Sequence, residues 1–491
     1  MIYSTKNKEY NSLYLPKIEE LNKLNCHYSS IFLFYVECFD ENQNYKNIIT
    51  ELNINFEQIK KIIIYCYSWL DINYNDLFYD LFKQKIQNNL VYFEFQSLAI
   101  FHDVVLENID EINNLISLEY LILNDIYPKS PFILKLTNLK HLKLFKCSNI
   151  YFIENNFLKL KYLCLMSNHL TYKENELLKF PELNTLISDY EGSNYDSIMD
   201  LANLKNLKIF KGKSEHFLSL NNSESLEKLI IYSFGKQELK KIISLKALQE
   251  IEINEIFDNQ LEYYGKNPSV KKLKICCCKS RGNFNLLYFL ENFPNLNDLT
   301  IDINCIEPLF TCEWESHSKK YDEQIIIKED SKSMINKILI NLKSEGYVIK
   351  FNCAPYQNLE YIDLIIDRLD INNLPFFLNK CDNISFDSLK FFSFEAVSIT
   401  EEIMDNLYYN IDKMPNLIDF QLVCHHRLYK AEIYYKSFIK KVLSLKFIQS
   451  LVFNIWCTSH QLFSKSHIVE LFPEINFKLY KKIIIGFDGC I

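Results

Sequence analysis

The stretch Leu118-Glu119-Tyr120-Leu121-Ile122-Leu123 returns as Leu139-Lys140-His141-Leu142-Lys143-Leu144, and again as Leu160-Lys161-Tyr162-Leu163-Cys164-Leu165. Each copy reads apolar, two residues, apolar, one residue, apolar. The last two apolar positions are two apart, so both side chains fall on one face of a short strand. One such unit cannot bury that face alone. Stacking many of them in parallel closes a continuous core, which is the logic of a solenoid.

Looser copies extend the pattern in both directions. They are Leu183-Leu186-Ser188, Leu204-Leu207-Ile209, Leu226-Leu229-Ile231, Leu248-Ile251-Ile253, Val270-Leu273-Ile275 and Leu296-Leu299-Ile301. Further out come Leu359-Ile362-Leu364, Leu389-Phe392-Phe394, Leu417-Phe420-Leu422 and Ile448-Leu451-Phe453, and upstream Ile59-Ile62-Ile64 and Leu90-Phe93-Phe95. From 118 to 270 the starts fall 21, 21, 23, 21, 22, 22 and 22 residues apart. This run resembles the leucine-rich repeat superfamily over residues 59–456. The resemblance implies an α/β fold, a right-handed parallel β-strand solenoid whose concave face serves protein recognition. The sequence departs from the family in one respect. The Asn or Cys that the family carries three residues after the last leucine is present as Cys147, Asn168, Cys278 and Asn304. Other copies have Gly212, Phe234, Asp367, Val397, His425 or Trp456 there.

The rest of each unit must return on the convex side. Periods of 21–23 leave room for an extended or 3₁₀ return; periods of 28–31 leave room for a helix. Glu401–Asp412 and Glu432–Leu443 have helical apolar spacing, and Thr400 before Glu401-Glu402 reads as a helix start. Residues 1–58 are expected to be an N-terminal helical cap, from the spacing of Ile18, Leu21 and Leu24. Leu15-Pro16 allows a second reading, a degenerate F-box-like docking module of a ubiquitin ligase substrate adaptor. The 63-residue step from Leu296 to Leu359 is expected to hold a divergent repeat at Ile325–Ile327 or Val348–Phe351, a helix at Met334–Leu342 and a loop near 312–322, the whole divergent segment spanning about 305–355. Residues 457–491 should close the C-terminal end, with Ile483-Ile484-Ile485 as a final strand.

Composition narrows the function. Hydrophobic residues make up 48% of the 491 and charged residues 24%, a globular balance. A net charge of −8 argues against a chain built as a whole for phosphates or anionic lipid, so neither nucleic acid nor membrane is expected as partner. Only 8 glycines are present, which leaves few backbone positions for cradling a nucleotide. Gly235-Lys236-Gln237 and Gly265-Lys266-Asn267 lack the Ser or Thr of a phosphate-binding loop, and no other catalytic motif occurs. The start, Met1–Asn11, is polar, and the 15 cysteines follow no spacing framework, so a cytoplasmic or nuclear setting with reduced thiols is expected. No enzyme activity and no cofactor are expected.

Two cysteine clusters were weighed as metal sites. Adjacent Cys276, Cys277 and Cys278 would point to alternate faces and cannot jointly chelate one ion. Cys424, His425, His426, Cys457 and His460 match no zinc spacing. The site is instead expected on the concave face, at the residues between and beside the inward apolar positions. In the first part of the chain these include Tyr120, His141, Lys143, Phe145, Tyr162, Met166, Lys208, Phe210, Lys228 and Tyr232. Further on they include Asp298, Asp302, Tyr361, Asp363, Phe391, Glu395 and Asp419. Aromatics beside charge make protein interfaces. The leading expectation is therefore a scaffold that binds a protein or peptide, with a basic aromatic strip followed by an acidic one.

Overall fold

A computed structural model describes residues 2–5, 31–38, 59–68, 89–97, 104–106, 109–152, 157–166, 179–188, 201, 204–220, 224–256, 263–276, 289–303, 323–327, 337–342, 347–351, 360–366, 386–396, 399–424, 432–455 and 479–486. The chain divides into two compact units, Met1–Glu227 and Lys228–Ile491.

The first unit contains strands β1 Ile2–Thr5, β2 Ile31–Cys38, β3 Lys61–Ser68, β4 Tyr92–Ser97, β5 Val104–Leu106, β6 Tyr120–Asn124, β7 Ile126–Pro128, β8 Phe132–Leu134, β9 His141–Phe145, β10 Ile150–Phe152, β11 Tyr162–Met166, β12 Thr185–Ser188 and β13 Ile209–Gly212. Nine of them, β1-β2-β3-β4-β6-β9-β11-β12-β13, form one parallel ladder. The register aligns Phe93, Leu121, Leu142, Leu163, Leu186 and Phe210 across consecutive strands. All six are at most 1% exposed. The short pairs β5–β7 and β8–β10 run through the returns: β7, β8 and β10 are the extended structure that the short period predicts, while β5 is extended within a 28-residue step where a helix is expected. The αL residues Asp125 and Lys146 (φ 56° and 49°) turn the chain out of β6 and β9 at equivalent positions.

In the second unit the strands are β14 Lys228–Phe234, β15 Glu250–Ile256, β16 Lys272–Ile275, β17 Asp298–Ile303, β18 Glu323–Ile327, β19 Lys337–Leu342, β20 Tyr347–Phe351, β21 Tyr361–Ile366, β22 Phe391–Ala396, β23 Asp419–Cys424, β24 Ser450–Ile455 and β25 Lys482–Gly486. Ten form a parallel ladder, β14-β15-β16-β17-β19-β21-β22-β23-β24-β25. Among the described residues, strands β18 and β20 pair with each other and not with the ladder.

Backbone hydrogen bonds repeat with the coils. The carbonyl just before each strand accepts two amides from the next coil. Glu119 O takes Lys140 N and His141 N at 2.8 and 2.9 Å, and Lys140 O takes Lys161 N and Tyr162 N at 2.8 and 3.1 Å. The same arrangement holds at Lys271 O, Glu360 O, Lys390 O and Ile418 O. Three residues before the first apolar position of nine described copies lies another buried residue: Leu115, Leu136, Phe157, Phe180, Leu204, Leu245, Phe293, Phe386 and Met414. Its carbonyl usually closes a tight turn, as in Leu118 N to Leu115 O at 2.9 Å. At Asn267 a polar residue takes this place. It is buried, and its amide donates to Ile242 O and Leu245 O at 2.8 and 2.9 Å.

A polar ladder also exists, at a position the family pattern does not mark. The residue before the first leucine reaches the preceding coil. Asn138 donates to Ile116 O (2.9 Å), Asn206 to Pro181 O (2.8 Å), Ser225 to Lys205 O (2.8 Å), Asn295 to Pro268 O (2.8 Å) and Asn416 to Asp387 O (2.7 Å). At the expected position Cys147 does serve: its thiol donates to Leu123 O and Phe145 O, and burial pushes its pKa up to about 12. Asn168, Cys278 and Asn304 lie outside the described residues.

Several expectations are corrected. The ladder begins before residue 59. β2 pairs with β3 over eight residues and β1 pairs with β2, so 31–38 belong to the sheet and not to a helical cap or a detached docking module. Ile18, Leu21, Leu24 and Leu15-Pro16 lie outside the described residues, as does 312–322. The extra repeat in the long step is Lys337–Leu342, where a helix was expected; it inserts in register between β17 and β21. Ile338, Ile340 and Leu342 alternate there, and at six residues this period-2 reading competes with a helical one. The 22-residue copies do carry helices: α1 Ser214–Ser219 in the first unit and α2 Lys236–Ser244 in the second. α2 starts at Gly235, whose amide donates to the Glu238 carboxylate at 2.9 Å, and it buries Leu239 and Ile242. The later helices follow expectation as α3 Glu401–Asn410 and α4 Glu432–Leu443, with the Thr400 hydroxyl accepting from Ile403 N. β25 contains Ile483-Ile484-Ile485 as expected.

The copy starting at 204 is read one step too early. Leu204 is the turn residue, and Leu207, Phe210 and Gly212 are the three inward positions, aligned with Leu183, Leu186 and Ser188. Gly212 is needed because a Cβ there would lie 2.2 Å from Ser188 Oγ and 2.9 Å from the Phe210 ring.

Leu142→Ala and Leu163→Ala should each cost about 2–5 kcal/mol in urea melts, because each leaves a cavity in the ladder core. Gly212→Ala should cost about 1–3 kcal/mol by overpacking, and Ser188→Gly in the same chain should recover part of it.

Candidate functional site

In-register pairing turns each outward position into a row that crosses the strands about 4.8 Å apart. At the first outward position the row reads Lys61, Tyr92, Tyr120, His141 and Tyr162. The Lys61 ammonium sits 4.0 Å from the centre of the Tyr92 ring. Ring centres then follow at 5.9 Å, 5.6 Å and 3.9 Å, and His141 and Tyr162 lie within 4° of parallel. Aromatic pairs of this kind contribute about 0.5–1.5 kcal/mol beyond area burial. Beside the row, Glu94 is buried and accepts from the Tyr92 hydroxyl and the Gln96 amide. The second outward row reads Ile63, Glu94, Ile122, Lys143, Cys164, Ile187 and Lys211, and the third includes Gln96, Asn124, Phe145 and Met166. Lys143 forms no ion pair among the described residues; its in-register neighbours Ile122 and Cys164 carry no charge.

The structure therefore brings Tyr120, His141, Lys143, Phe145, Tyr162 and Met166 together as one aromatic surface with a lysine inside it. It moves Phe210 elsewhere. Phe210 is fully buried, 6.3 Å from the Phe217 ring, because the copy begins three residues later than expected, and Ile209 and Lys211 take the outward positions. Lys208 accordingly stands just before the strand, paired with Glu227 at 2.9 Å. Tyr92 and Lys61, one and two coils upstream of Tyr120, extend the row beyond the residues expected for it. Their signal in the sequence is their place before an inward apolar residue, Ile62 or Phe93, as with Tyr120 and Tyr162.

The second unit has a different surface. Lys228 and Lys272 both bind the Glu250 carboxylate (3.2 and 2.9 Å), and Lys274 binds Glu252 at 3.3 Å. Lys272 first and Lys228 second hold Glu250 below the usual carboxylate range. The basic strip expected to include Lys228 is thus neutralised by its own neighbours, and Tyr232 lies half-buried beside it. Asp298 faces outward next to Lys272 in register. The Asp302 side chain lies outside the described residues. Further along, Tyr361 and Phe391 stack at 4.2 Å and 4°, flanked by Asp363, Glu395 and Asp419 on the same face. The Tyr361 hydroxyl donates to Asp363 Oδ2 at 3.4 Å, and burial followed by the Asp363 charge pushes its pKa up to about 12.

Among the described residues no three His, Cys, Asp or Glu side chains are grouped to hold a metal ion. Cys276 projects toward Glu252, while Cys277 and Cys278 are outside the described residues. Cys424 is buried in the core, and His425, His426, Cys457 and His460 are outside the described residues. No described helix is long and apolar enough to cross a membrane.

Burial between two tyrosines, and next the Lys143 charge, lower the His141 pKa below its ordinary value near 6.5. The unfolded chain then binds a proton that the folded chain resists. This contribution to stability is present above about pH 6.5 and is lost as pH falls through the lowered folded value. Urea melts of wild type and His141→Phe should diverge on acidification, with the wild type losing more stability below about pH 6.5.

No family model matches the sequence, and no curated protein matches it. Solved structures similar in fold include an internalin (inlF) from Listeria monocytogenes, at 11% identity over 89% of this chain and 92% of that one, TM-score 0.27. CroV588, described as a circular LRR protein, matches at 11% identity over 94% and 72%, TM-score 0.37. The LRR ectodomain of the receptor kinase GASSHO1/SCHENGEN3 from Arabidopsis thaliana, in complex with CASPARIAN STRIP INTEGRITY FACTOR 2, matches at 10% over 96% and 72%, TM-score 0.29. The chain's own repeat period, in-register parallel ladders and inward leucines give it the leucine-rich repeat fold.

Proposed function

We propose that this chain is a non-enzymatic interaction scaffold that binds a protein or peptide on the outward face of the ladder in the Met1–Glu227 unit. One observation carries the reading. Tyr92, Tyr120, His141 and Tyr162 are stacked into a continuous row on the side of the sheet away from the core. Rings locked by their neighbours lose little rotamer freedom when a partner docks, which favours their use as anchors. Phe145 and Met166 widen the apolar area, and Lys143 gives it a positive centre. The paired lysines of the second unit are less suited to capture an acidic partner, since their carboxylates already satisfy them.

Affinity purification with mass spectrometry supplies a partner, and surface plasmon resonance then tests the face. Phe145→Ala and Tyr162→Ala should weaken binding by about 1–3 kcal/mol, mainly through faster dissociation. Lys143→Glu should slow association, and added salt should mimic it. Unchanged rates in all three variants, together with loss of binding on Lys240→Glu or Lys440→Glu in the helices, would refute the assignment.

A further inference from the structure

The row of rings stops abruptly. Tyr162 is followed in register by Thr185 on β12 and then by Ile209 on β13. Strands lie about 4.8 Å apart, so Tyr162 and Ile209 stand about 9.6 Å apart across one small residue. The gap has the thickness of a single flat ring. One wall is the far face of Tyr162, the face not covered by His141, and the other is Ile209. The floor is Thr185, whose hydroxyl donates to Asn184 Oδ1 at 3.1 Å. Ile187 borders it on the second outward row. Lys143 on β9 and Lys211 on β13 flank this region from either side, and the described outward residues of β9, β11, β12 and β13 include no acid.

We infer that this notch receives one aromatic side chain of a protein partner, which continues the stack on Tyr162 while an adjacent Asp or Glu of that partner meets Lys143. The inference rests on the proposed scaffold function and names the kind of segment recognised. An aromatic ring fits the spacing already used by the three ring pairs of the row, and a carboxylate fits the positive charge of the described outward residues of β9, β11, β12 and β13. A guanidinium would also stack, but it would sit between two lysines.

The notch can be closed from within. Thr185→Tyr places a ring in the gap as part of the chain's own row, so folding should survive, with thermal melting at or above that of wild type. Thr185→Ser keeps the gap open. The full chain is immobilised and used to select random peptides displayed on phage. The expected result is enrichment of peptides with Phe, Tyr or Trp beside Asp or Glu. Their binding should fall about tenfold or more on Thr185→Tyr and on Lys143→Glu, and stay within about twofold on Thr185→Ser. Enriched peptides that lack an aromatic residue, or that bind Thr185→Tyr as well as wild type, overturn the inference. Failure to enrich any peptide also overturns it, because a slot of one residue should be satisfied by a short segment. If a purified partner nevertheless depends on Phe145 and Tyr162 but not on Thr185, the scaffold function stands and only the notch is wrong.

Discussion

Everything in this molecule depends on the pairing of one backbone carbonyl with two amides of the next coil. Glu119 O, Lys140 O and Lys271 O each hold two successive N–H groups, and so set where the following strand begins. Once that point is set, each later residue has a fixed partner and a fixed face. Inward residues become a column of leucine, isoleucine and phenylalanine. Outward residues become rows, and a row has properties that no single position has.

The two units use the same rule to make different surfaces. In the first, tyrosine and histidine recur at one outward position, and their rings stack. In the second, Lys228, Glu250, Lys272 and Asp298 recur there, and the charges alternate. Exposed ion pairs contribute about 0–1 kcal/mol each and weaken in salt. Their consequence here is neutrality: the ladder consumes its own lysines. The aromatic row is held by ring contacts, with no charge of its rings consumed.

Departures from the repeat are compensated locally. Ser188 and Gly212 replace two leucines in adjacent coils, and the serine occupies the space that the glycine leaves. Asn267 replaces an apolar turn residue and meets two carbonyls with its amide. The Asn and Ser residues before the first leucine take up carbonyls of the preceding coil. A buried carbonyl or amide must find a partner, and which residue supplies it is free to change.

The sequence by itself determined the period, the inward leucines and the helical returns at 401–410 and 432–443, because hydrophobic spacing is a local property. It also placed Tyr120, His141, Lys143, Phe145, Tyr162 and Met166 outward. It misread the copy at Leu204, since Leu204, Leu207 and Phe210 are three apart and a glycine leaves no hydrophobic mark at the last inward place. It missed Lys337–Leu342, where six residues rich in Ile and Leu resemble a helix turn as much as a strand. Only the tertiary structure decided which outward residues meet. Stacking of His141 on Tyr162, neutralisation of Lys228 by Glu250 and the placement of Thr185 between Tyr162 and Ile209 all arise between residues about twenty apart, and a shift of one residue in register would abolish each.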